Sequence, residues 1–305
     1  MSVTTSVDLD KPASPPAFRP IGAARKSKNL IATVLVYLSF AIAVVPLVWV
    51  LYTVLEKGLG PILSADWWGK SLNGLTATQF GGGAYHAIYG TLVQGVVCAL
   101  ISVPIGVLVA IYLVEYGARS KLARTTTFMV DILTGVPSIV AGLFIYALWI
   151  TTFGFTRSAF AVSLSLVLLM VPVVIRTTEE MLRIVPMELR EASYALGVPK
   201  WKTIVKIVIP TALSGIVTGV MLGLARVMGE TAPLLILVGY APFINYNIFS
   251  GEMASLPLLM NTERATGTEA GDMRVWGAAL TLVVIIMLFN LIAAIVSRLS
   301  AIKTK

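Results

Sequence analysis

The stretch His86–Val114, HAIYGTLVQGVVCALISVPIGVLVAIYLV, contains no Asp, Glu, Lys or Arg. Its apolar residues do not alternate as in a half-buried strand, and it exceeds the ~20 residues that a helix needs to cross a bilayer. In lipid every backbone polar group must be satisfied within the segment, so the stretch is read as a spanning helix. Five more apolar runs lie at about 30–55, 125–153, 158–175, 210–238 and 275–296. The composition agrees: 57% of the 305 residues are hydrophobic and 12% are charged, against about 25% charged in ordinary soluble domains. A soluble fold would expose that much apolar surface, whereas lipid solvates it.

The net charge of +8 does not point to nucleic acid, because the basic residues sit between the apolar runs. Seventeen of the 23 lysines and arginines fall in the tail, in the segment around Arg119, Lys121 and Arg124, in 176–206 and at the C-terminus. Five occupy the alternate connections (Lys57, Lys70, Arg157, Arg264, Arg274), and Arg226 lies inside a run. That bias places both termini in the cytoplasm, as six spans require. Residues 1–28, rich in proline and ending in Arg25, Lys26 and Lys28, read as a disordered cytoplasmic tail before a transmembrane domain over 29–305. Trp67, Trp68, Tyr85, Tyr240, Phe243 and Tyr246 read as an aromatic belt at the outer interface. The single cysteine, Cys98, reads as an inert core residue, and one histidine, His86, builds neither a metal site nor a hydrolytic triad. No Gly-x-x-x-x-Gly-Lys-Ser/Thr occurs, so nothing in the chain reads as a nucleotide site, and the chain is read as a non-enzyme.

The connection 176–206 is long, and long connections tend to carry function. Pro186 starts a helix with Glu188 and Glu191 near its positive end, Gly197 closes it, and Pro199 opens the next turn. Ala192, Ser193 and Ala195 keep that helix slim. From the residues alone two readings stand: an amphipathic helix on the membrane surface, or a rigid knob that enters a groove on a partner.

Glu191-Ala192-Ser193, Gly197 and then Ile207-x-Ile209-Pro210 together resemble the loop by which ATP-binding cassette (ABC) importer permeases dock on their ATPase, with Ser193 and Ile209 as mild departures. Gly135–Leu143, Val173–Leu182 and Ala225–Leu235 resemble the PstA-type permeases of phosphate-specific transport (Pst) importers, a likeness extending over roughly residues 85–298. The resemblance implies an all-α membrane protein with six transmembrane helices, in the type I (MetI-like) permease fold, located in the bacterial inner membrane. It implies a second permease of PstC type, a pair of PstB-type ATP-binding subunits that use ATP and Mg²⁺, and a PstS-type extracytoplasmic phosphate-binding protein. It makes Glu191, Ala192, Ser193 and Gly197 the ATPase-coupling residues, with no cofactor on this chain. An importer of another oxyanion, sulfate or molybdate, shares the same architecture.

Arg226 and Glu230, four residues apart, are expected on one face of the fifth span, about 6 Å apart along a helix axis. Neither charge belongs in lipid. They read as substrate contacts or as a salt bridge locking two helices. Arg176, at the end of the fourth run, reads as a positive-inside anchor or as the inner mouth of the path, and the resemblance favours the path. Guanidinium forks bind oxyanions bidentately. A carboxylate such as Glu230 accepts a hydrogen bond from protonated phosphate and repels sulfate. Pro233 lacks the N–H that would bond to the carbonyl of Gly229, so the span is expected to bend there.

Overall fold

A computed structural model describes residues 22–117 and 120–300, with side chains through Arg298. Residues 1–21, the bulk of the basic tail, lie outside the described residues, as do Arg119, Lys303 and Lys305. Among the described residues every regular element is a helix. Residues through Tyr52 form one compact unit and residues from Thr53 a second.

The first unit holds most of α1 (Ala23–Ile62). This helix starts at Ala23, ahead of the boundary at 28 expected from composition; Ala23, Ala24, Arg25, Lys26 and Lys28 all have good intrinsic helix propensity. The second unit continues α1 and adds α2 (Ala65–Gly69), α3 (Tyr85–Ile111), α4 (Lys121–Thr134), α5 (Ser138–Ile145) and α6 (Ala159–Ile184). Then come α7 (Met187–Ala195), α8 (Lys200–Thr203), α9 (Ile209–Met228), α10 (Ala232–Leu237), α11 (Leu256–Thr266) and α12 (Glu269–Ser300). Wider π turns extend three of these helices: Tyr112–Tyr116 after α3, Tyr146–Thr152 after α5 and Ile204–Val208 between α8 and α9. The last keeps Lys200–Met228 one continuous 29-residue helix. It falls just before Pro210, whose missing N–H and ring a tight α-helical ladder does not accommodate without adjustment.

Among the described residues five helices are long and apolar enough to cross a membrane: α1, α3 with its π turn, α6, α8 through α9, and α12. The run 125–153 is not one rod. It breaks at Gly135-Val136-Pro137 into α4 and α5 with its π turn, which meet at 107°. Pro137 disfavours helix at the preceding residue and caps the next helix, so the chain turns there. Counted as one span, this bent pair makes the sixth.

The core of the second unit is the α3, α6 and α9 group. Ser163 Oγ donates to the Gln94 carbonyl at 3.3 Å, and Cys98 Sγ lies 3.6 Å from Met170 Sδ. At Gly219 a Cβ would stand 2.5 Å from Thr177 Oγ1, so only glycine lets α9 approach α6 this closely. Trp67 does not sit in an interfacial belt. It is buried, and its Nε1 donates to Thr281 Oγ1 at 2.8 Å. Arg274, counted among the basic residues of the outer connections, is 2% exposed and donates to Glu263 Oε2 at 2.9 Å and to the Gln79 carbonyl. His86 Nε2 lies 3.3 Å from the Tyr240 hydroxyl. Burial, and after it the charge of Glu263, push the Tyr240 hydroxyl pKa up.

Candidate functional site

Only residues 185–199 of the long connection lie between membrane-crossing helices. Arg176 and Arg183, expected beyond the fourth span, lie within α6, which runs past Pro172 to Ile184. Their charges are tolerated there because Glu179 accepts from Arg176 Nη1 at 2.9 Å and from Arg183 Nη2 at 2.6 Å. Arg176 also pairs with Asp131 of α4. The oxyanion contact proposed for Arg176 is therefore shared between two carboxylates in this structure, which also ties α4 to α6.

The helix expected after Pro186 is α7, with Pro186 at its cap. Gly197 ends it at φ +73°, and the Val198 N–H closes on the Ser193 carbonyl at 3.2 Å. This is the left-handed closure that favours glycine. Glu191, Ala192 and Gly197 are exposed. Ser193 is not: it is 3% exposed, and its Oγ lies 2.8 Å from Thr203 Oγ1. It therefore faces inward and staples α7 to α8. Around the exposed residues stand Ile184, Met187, Trp201 and Leu196, the last 83% exposed. Exposed large apolar side chains on a charged connection make it a candidate surface for a partner. Composition alone did not pick out this apolar crown.

One basic residue beside the crown is buried. Arg190 donates from Nη1 to the Val185 carbonyl at 2.7 Å and from Nη2 to the Leu182 carbonyl at 2.9 Å. Its Nη2 and Nε also meet Glu115 Oε1 at 3.0 and 3.2 Å. Lys200 donates to the Glu115 backbone carbonyl, and its Nζ stands 4.8 Å from the Tyr116 ring centre. Glu115 was passed over in the sequence because its partner lies 75 positions away.

Arg226 and Glu230 do not share a helical face. The helix stops at Met228, Gly229 caps it, and α10 begins only at Ala232, with Pro233 in its first turn. Gly229 and Pro233 break the span rather than bend it, because one offers no side chain to hold the helix and the other no N–H to continue it. Arg226 is exposed, Glu230 is half-buried, and no ion pair joins them among the described residues. Glu230 instead lines a small cavity with Thr91 and Gln94 of α3 and Ser255, the residue before α11. Gln94 Nε2 and Ser255 Oγ are buried without a partner. The cavity leaves about 10 Å³ for the centre of a water, room for one molecule and too little for an oxyanion. Arg226 is thus exposed on this chain, while Glu230 lines a small, partly open cavity whose walls are mostly apolar.

The sequence profile described as "Binding-protein-dependent transport system inner membrane component" matches residues 102–303. The chain is 57% identical, over 97% of each protein, to the "Phosphate transport system permease protein PstA 1" of Mycobacterium tuberculosis (strain CDC 1551 / Oshkosh). It is 58% identical, over 94% of each, to the "Phosphate transport system permease protein PstA" of Mycobacterium leprae (strain TN). Among solved structures, a chain of the MetNI methionine ABC transporter in an inward-facing conformation is similar with a TM-score of 0.57 at 22% identity. That match covers 72% of this chain and 94% of the other.

Proposed function

The chain belongs to the family of binding-protein-dependent transport system inner membrane components, and from that footing we propose how its geometry serves phosphate import. It is a multi-pass permease subunit of an ABC-type phosphate importer, and ATP is hydrolysed on a separate subunit. The finer assignments follow from the residues. Both termini face the cytoplasm, which puts α7 on the side where ATP is found. Glu191, Ala192 and Gly197, with the apolar crown of Met187, Leu196 and Trp201, dock in a groove of the ATPase. Ser193 supports the docking helix from within. The partners are a second permease of PstC type, a pair of PstB-type ATPases using ATP and Mg²⁺, and a PstS-type phosphate-binding protein.

Arg226 locates the path. A charge at membrane depth does not face lipid, yet Arg226 is exposed on this chain taken alone. Its guanidinium therefore faces an aqueous path shared with the second permease, where its planar fork meets the phosphate oxygens. Glu230 joins it when the cavity beside the broken span opens, accepting a hydrogen bond from a protonated phosphate oxygen and repelling sulfate. Arg176 lies further along, released to phosphate when Asp131 or Glu179 lets go.

The observation that carries this reading is the exposed Arg226, without an ion-pair partner among the described residues, on a helix that starts at the end of the docking connection. Reconstituting the four-component complex in proteoliposomes tests it. Phosphate-loaded binding protein stimulates ATP hydrolysis and phosphate uptake, and Arg226→Gln loses uptake while the complex still assembles. Stimulation by sulfate or molybdate in place of phosphate would overturn the cargo and leave the architecture standing.

A further inference from the structure

We propose that Arg190, with Glu115, is the positioning pair that carries the ATPase stroke from the docking helix into the membrane. This rests on the reading of 187–197 as the docking segment. Arg190 precedes Glu191 in α7 but points the opposite way: Glu191 is exposed, and Arg190 is 7% exposed. Its fork reaches two different membrane-crossing helices. Leu182 lies in the last turn of α6 and Val185 just past its end, and Glu115 lies in the π turn that finishes α3. The Glu115 side chain is itself only 5% exposed. Lys200, at the other flank of the docking segment, takes the backbone carbonyl of the same Glu115. The segment is therefore bound to the π turn after α3 from within, at Arg190, and beyond its C-terminal flank, at Lys200.

Stability alone does not account for this arrangement. A buried ion pair is often no better for stability than well-packed apolar residues of similar volume. Apolar contacts have no preferred direction, whereas a planar guanidinium bonded on three sides fixes orientation as well as distance. A helix pushed by a partner moves α3 and α6 together only if its tie resists sliding. The fork provides that, and the Ser193–Thr203 contact passes the same motion into α8 and α9.

The test uses the complete complex in proteoliposomes, with ATP hydrolysis and phosphate uptake read in the same preparation. The double variant Glu115→Met/Arg190→Met removes both charges together, so no lone buried charge unfolds the protein. The expected result is an assembled, ATP-hydrolysing complex whose uptake per ATP falls about tenfold, the scale of one lost charge-assisted hydrogen bond. In Glu115→Cys/Arg190→Cys, a short bis-methanethiosulfonate linker restores uptake per ATP, and dithiothreitol abolishes it again. Cys98, fully buried, does not compete for the reagent. Unchanged uptake per ATP in the double methionine variant overturns the proposal. So does uptake lost together with ATPase co-purification, because the pair then only folds the connection. Failure of the linker to restore coupling also overturns it. Gly197→Val separates the underlying reading: if that variant keeps the ATPase bound and transports normally, the docking segment is misassigned and the tie falls with it. If Gly197→Val sheds the ATPase while the methionine pair transports normally, the tie alone is wrong.

Discussion

Two arginines of this chain invert the usual relation between burial and the membrane. Arg190 lies in the connection, where solvent is at hand, yet it is buried and hydrogen-bonded on three sides. Arg226 lies in a membrane-crossing helix, where solvent is scarce, yet it is exposed and pairs with no carboxylate among the described residues. A buried cation with its partners in place has nothing left to bind, so it holds structure. An exposed cation at membrane depth is incomplete within its own chain, and what completes it comes from outside. On the reading proposed above, the difference separates the residues that transmit force from those that meet cargo.

The contrast can be broken most decisively at Arg190. Arg190→Ala leaves Glu115 as an uncompensated buried charge and is expected to lower stability by about 3–5 kcal/mol, read as a large fall in the melting temperature of the purified complex. The same measurement on Arg226→Gln is expected to show almost no shift. Phosphate uptake in that variant instead falls by roughly one to two orders of magnitude, as loss of a charged hydrogen bond worth about 1.5–3 kcal/mol implies. If Arg226→Gln destabilises and Arg190→Ala does not, the assignment of roles is reversed. Glu230→Gln sharpens the cargo side: on the proposed role of its carboxylate, phosphate uptake is expected to fall modestly and sulfate to compete measurably in uptake assays. A smaller effect belongs to Ser193→Ala, which removes one side-chain contact to Thr203 and is expected to cost about 1 kcal/mol of stability. Leu196→Ser, on the exposed crown, stays within about ±0.5 kcal/mol and weakens only co-purification of the ATPase.

How much of this was readable in the chain depends on whether a feature is local. His86–Val114 declares itself because its apolar length is a property of consecutive residues. The end of α7 at Gly197 does so because a left-handed cap needs a particular residue at a particular place. The 107° break after Thr134 was hidden, since a helix buried in protein and one crossing lipid have the same composition. Gly135 and Pro137 marked the place but not the angle. Arg226 and Glu230 were paired by helical spacing, which holds only while the helix lasts, and Gly229 ends it between them. Asp131 and Glu115 gave no local sign, because their partners lie 45 and 75 positions away and are brought near only by the packing of α4 and α3 on α6.

The uninterrupted helix from Lys200 to Met228 has a mechanical consequence. At 1.5 Å per residue, Arg226 lies about 39 Å along the axis from Lys200. A lever of that length magnifies rotation: a tilt of about 5° about the Lys200 end swings Arg226 by about 3 Å, the length of one hydrogen bond. An angular change too small to disturb the packing at the pivot is enough to make or break a contact at the far end.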